Sequence, residues 1–112
     1  MPAPPAASPR LVAGLMSGTS LDGVDAVLAR VEGTGRRLSV TSHAFVHQPY
    51  PAALRSLIAA QSTPERSSVG ALSQLNVRLA HAYAAAVRTL MDTASQPVAA
   101  LDLIGLHGQT VY

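Results

Sequence analysis

The chain has 112 residues, enough for one small domain, and contains neither cysteine nor lysine, all eight basic residues being arginine. Disulfides, thiolate metal ligands and thiol nucleophiles are therefore excluded, as are a P-loop, a Schiff-base enzyme and the nucleotide lysine of a protein kinase. The net charge is only +2 despite a pI near 9.7, and 12% charged residues with one Phe, three Tyr and no Trp supply neither the basic stripe nor the aromatic platform of a nucleic-acid surface.

Residues 1–10 carry four prolines among the first nine positions, with no basic or apolar region of a secretory signal, and read as a disordered Pro/Ala-rich extension. Leu11 to Met16 is a short apolar run that reads as a buried strand, ended by the turn-rich Ser17-Gly18-Thr19-Ser20. Gly23 to Val31 is rich in β-branched and apolar residues and lacks a polar face of helical period, which predicts a second strand and makes the intervening loop a hairpin tip. Glu32 to Arg36 is a second turn signal, and Leu38 to His47 has the Thr, Val and Phe content of a third strand. Pro51 is placed as the first residue of a helix through about Ala60. From Ser68 to about Thr93, Val69, Leu72, Leu75, Leu79, Tyr83, Val87 and Leu90 recur at spacings of three and four, which is helical. Leu101 to Leu106 has the length and bounding turns of a buried strand, with His107 to Thr110 just past its carboxyl end. The order is an α/β pattern: a three-stranded antiparallel meander, then helices, then a parallel strand. No run is long, apolar and uninterrupted enough to span a membrane.

The densest cluster of site-like residues is Ser17-Gly18-Thr19-Ser20-Leu21-Asp22-Gly23. Glycines let backbone N–H groups converge on an anion and the three hydroxyls add donors, a combination suited to phosphate. No helix follows, so this is not the helix N-terminus of a Rossmann or P-loop site. The plain alternative is a polar hairpin with Asp22-Gly23 as its turn.

Gly14-Leu-Met-Ser-Gly-Thr-Ser-Leu-Asp-Gly-Val-Asp25 resembles the N-terminal signature of the anhydro-N-acetylmuramic acid kinases, and Ile104-Gly-Leu-His-Gly-Gln-Thr-Val111 resembles a second motif of that family. The resemblance implies a ribonuclease-H-like, actin-like ATPase subdomain of the sugar kinase, actin and Hsp70 superfamily. It implies that Gly18, Thr19, Ser20, Leu21, Asp22, Gly23, Val24 and Asp25 bind ATP, and that His107, Gln109 and Thr110 border the sugar. The superfamily's usual first-strand carboxylate is absent from Met16-Ser17-Gly18-Thr19, a departure shared with the anhydro-sugar kinases, and the holder of Mg2+ stays open between Asp22 and a carboxylate beyond Tyr112.

From the residues themselves, Leu21 and Val24 read as packing residues, and Asp25 as accepting backbone N–H bonds to orient the loop. His43 and His47 are spaced to share a solvent-facing strand face, His81 reads as a structural residue within the helix, and Phe45, Tyr83 and Met91 read as core. No catalytic base is recognisable, and the resemblance puts it beyond Tyr112. The expected function of the whole protein is phosphorylation of 1,6-anhydro-N-acetylmuramic acid at O6 with opening of the anhydro ring, in the cytoplasm. The alternatives are another sugar kinase or an actin-like or chaperone-like ATPase. Residues 11–112 would be the first part of that protein, ending before its second half and inactive alone. The expected partner is a small sugar, with no nucleic acid and no membrane, and homodimerisation of the whole protein is left open.

Overall fold

The computed structural model describes residues 9–17, 22–63, 65 and 68–107. Four strands, β1 (Arg10–Ser17), β2 (Gly23–Glu32), β3 (Ser39–Pro49) and β4 (Leu103–His107), form one sheet in the order β3-β2-β1-β4. The meander β1-β2-β3 is antiparallel, and β4 joins β1 in parallel. Two helices, α1 (Ala52–Gln61) and α2 (Val69–Thr93), lie between β3 and β4 in sequence. Arg10, expected in the extension, is the first residue of β1 and pairs with Val31. Pro51 is the N-cap of α1 rather than its first helical residue.

Strand alternation sorts the side chains. Ala13, Leu15 and Ser17 on β1 and Val24, Ala26 and Leu28 on β2 are buried on the face that α2 covers, and Leu75, Ala86, Val87, Leu90 and Met91 come down from α2 to meet them. The helix starts at Ser68, whose Oγ accepts from the Ala71 N–H at 3.2 Å, the expected satisfaction of an open first-turn donor. Gln61, buried at the end of α1, accepts from the Ser68 N–H at 3.0 Å and so ties the end of α1 to the start of α2.

Burial departs from expectation on β4 and at Phe45, for different reasons. Because α2 crosses β2 and β3 and stops short of β4, every residue of β4 is exposed, including Leu103, Ile104 and Leu106. Phe45 falls on the face turned away from the helices and is 64% exposed, and Val69, on the first turn of α2, is 83% exposed. A bulge between the pairs Leu28↔Ala44 and Ala29↔Ser42 breaks the alternation of β3 at His43, which lines a small depression with Leu11, Leu28 and Ala94. His43 and His47 therefore do not share surroundings.

β4 is seated by Asp102, whose carboxylate accepts from the Leu11 N–H at 2.8 Å while its own N–H donates to the Leu11 carbonyl at 2.9 Å. Gly23 is required for a different reason than a turn. It is the first residue of β2, and a Cβ there would lie 2.3 Å from the Gln48 carbonyl oxygen, a backbone atom that cannot yield cheaply. Gly23→Ala should therefore lower stability by about 1–3 kcal/mol, as overpacking does. Gly105→Ala, with open space around the new methyl, should stay within about 0.5 kcal/mol. Urea unfolding of the two variants checks the contrast, and equal midpoints would refute it.

Candidate functional site

β1 and β4 are parallel neighbours, with Met16 opposite His107. Ser17 and His107 are thus delivered to the same end of the sheet, the carboxyl end of two adjacent parallel strands, where clefts of open α/β sheets form. Of the residues expected at the nucleotide, Gly18, Thr19, Ser20 and Leu21 lie outside the described residues, as do Gln109 and Thr110 of those expected at the sugar. Asp22, Gly23, Val24, Asp25 and His107 are described. His107 is the last residue of β4 rather than a residue beyond it.

Cross-strand pairing sets four side chains in one row on the face away from the helices: His107 beside Met16, Met16 beside Asp25, Asp25 beside His47. With neighbouring strands about 4.8 Å apart, Asp25 and His107 stand roughly 10 Å from each other across Met16. Val24, on the opposite face, is fully buried and is a packing residue, as expected.

The Asp25 carboxylate accepts from His47 Nδ1 at 2.7 Å, a side-chain partner in place of the expected backbone N–H, and His47 Nε2 lies 3.9 Å from the Asp22 carboxylate. His47 is therefore not a bystander on a solvent-facing strand. Its pKa is raised above the ordinary 6.5, chiefly by the hydrogen bond to Asp25, with the charges of Asp22 and Asp25 adding to it and desolvation opposing.

On the helix face, Ser17 is buried and its Oγ shares a 2.7 Å hydrogen bond with the Tyr50 hydroxyl. The Tyr50 N–H donates to the Asp22 carbonyl at 2.9 Å. Burial pushes the Tyr50 phenol up to about 12, so it stays a neutral hydroxyl across the working pH range. Tyr83 on α2 lies close enough to contribute to that shift, although its own buried hydroxyl has no hydrogen-bond partner of good geometry among the described residues. Tyr50 and His47 escaped the motif reading because their partners sit 33 and 22 residues away. The one available signal was Pro49-Tyr50-Pro51, a tyrosine held between two prolines directly after a strand.

His47 binds its proton more tightly folded than unfolded, so its stabilising contribution is complete below 6.5 and fades as pH rises through the elevated folded-state value. Melting temperatures of the wild type and His47→Gln should differ most near about pH 6 and converge toward about pH 9. A gap that widens with pH would contradict the assignment.

Comparison with known proteins supplies the family. The model of the family described as "Anhydro-N-acetylmuramic acid kinase" matches residues 10–112. A protein of that name from Salinibacter ruber is 52% identical over 104 residues, covering 93% of this chain and 26% of that protein. One from Bacillus cereus is 41% identical over 101 residues, covering 90% of this chain and 26% of its own length, and one from Bacillus anthracis matches to the same extent. The chain thus spans about a quarter of the relatives it matches. With the meander, the parallel β4 and both motif-bearing strand ends in place, the chain belongs to the anhydro-N-acetylmuramic acid kinase family.

Proposed function

We propose that these residues form the first part of an ATP-dependent kinase that phosphorylates 1,6-anhydro-N-acetylmuramic acid at O6 while the anhydro ring is opened by water, giving N-acetylmuramate 6-phosphate for cell-wall recycling in the cytoplasm. The observation that carries this reading is the parallel pairing of β1 with β4, which sets the strand leading into the Gly18–Asp25 motif directly beside the strand leading into His107. A nucleotide motif and a sugar motif in adjacent positions are what transfer between two bound substrates requires.

In this reading Gly18, Thr19, Ser20 and Leu21, with Asp22 to Asp25, contact ATP, and His107, Gln109 and Thr110 contact the sugar. ATP supplies the phosphoryl group; the contribution of this chain is donors and placement, the larger part of what proteins do in phosphoryl transfer. For the Mg2+ that accompanies ATP, the carboxylates to test are Asp22, with a side chain 51% exposed, and one from beyond Tyr112. Among the described residues no three His, Cys, Asp or Glu side chains are grouped to hold a metal by themselves. The base that activates the attacking water belongs to the rest of the protein.

In the full-length kinase carrying these residues, ATP should phosphorylate the anhydro sugar and leave reducing N-acetylmuramic acid untouched. His107→Ala should raise KM for the sugar by about tenfold or more with KM for ATP little changed, as loss of a substrate hydrogen bond does. ATP turnover unaffected by the sugar and by His107→Ala would favour an actin-like ATPase instead.

A further inference from the structure

Both residues that bracket residues 18–21 are tied to a single tyrosine. Tyr50 reaches Ser17 with its side chain, hydroxyl to hydroxyl at 2.7 Å, and reaches Asp22 with its backbone, N–H to carbonyl at 2.9 Å. Tyr50 itself has little freedom. It is 4% exposed and packed in the core. It precedes Pro51, which confines its backbone to extended conformations, and it follows Pro49, whose φ is fixed by its ring. The strand end just before it is also fastened: the Gln48 side chain accepts from the Thr89 hydroxyl of α2 at 3.0 Å, and the Gln48 carbonyl packs against Gly23 so closely that no Cβ fits between them.

We propose that Tyr50 is a positioning residue for nucleotide binding, fixing the separation and orientation of Ser17 and Asp22, the two described ends of the nucleotide motif's loop, from one rigid point before ATP arrives. The proposal rests on the kinase reading above. On the other face of the sheet His47 holds Asp25, so the segment from His47 to Tyr50 grips the stems from both sides. The Tyr50 phenol keeps its proton at all physiological pH, so the tie to Ser17 does not depend on protonation. Preorganisation of this kind shows in affinity for the ligand that the fixed groups meet, and little in affinity for a ligand bound elsewhere.

The test uses the full-length kinase. Tyr50→Phe removes one hydroxyl and keeps the ring. It should raise KM for ATP by about fivefold to tenfold with KM for the sugar unchanged. Ser62→Ala, which removes a hydroxyl bonded within the end of α1, to the Ile58 carbonyl, is the control and should change neither. Ser17→Ala breaks the same bond from its other end, so the double variant should show a smaller effect on KM for ATP than the product of the two singles. If Tyr50→Phe fails to fold, Ser17→Ala alone carries the test and should raise KM for ATP selectively. An unchanged KM for ATP in a folded Tyr50→Phe, multiplicative effects in the double variant, or equal changes in both KM values would overturn the proposal while leaving the kinase reading intact. A wild-type enzyme with no transfer activity would fail the kinase reading itself and the proposal with it.

Discussion

β1 is hydrogen-bonded along both of its edges, antiparallel to β2 and parallel to β4. Most of what the chain can do follows from that double pairing. An antiparallel neighbour brings the chain straight back after Ser17, so the stems of the intervening loop stand one strand apart. A parallel neighbour must arrive by a long crossover, and it aligns its own carboxyl end with that of β1. One strand thereby joins two motifs that are about eighty residues apart in sequence. Asp102 holds the parallel register by adding two hydrogen bonds to Leu11 just ahead of the first ladder pair.

The second constraint is steric. The end of β3 lies against the start of β2 so closely that Gly23 has no room for a side chain. Gly23 therefore serves contact between two backbones, and a glycine's freedom to take a positive φ is not used there. The close approach is also what lets one short segment, His47 to Tyr50, touch Ser17, Asp22, Gly23 and Asp25 together. Charge is distributed to match. The buried face offers neutral hydroxyls, Ser17, Tyr50 and Tyr83, whereas the carboxylates and His47 stand on the exposed face, where water lowers the cost of ionisation.

Much of the fold was legible because its signals are local. The strands of the meander are bounded by turns, and α2 announces itself through apolar residues spaced by three and four. Burial was less legible, since Leu103-Ile-Gly-Leu106 looks the same whether or not a helix happens to cross it. Phe45 reads as core by composition, yet alternation puts it on the uncovered side. The bulge at His43 cancels a face-sharing argument that holds only for unbroken pleating. At the candidate site the motif residues declared themselves, but the residues bonded to them did not. His47 and Tyr50 belong to no motif and meet their partners only once the register of β3 on β2 is known, which a single sequence does not encode locally.

The position of β4 bears on where the sheet can be extended. Among the described residues nothing pairs with its outer edge, and Leu103, Ile104 and Leu106 are half-exposed on its two faces. Such a strand is a template on which any extended apolar segment can continue the sheet. The same strand that aligns His107 with Ser17 is therefore also the place where an added strand would continue the sheet, so the alignment of the two motifs and the direction in which the sheet can grow trace to one strand.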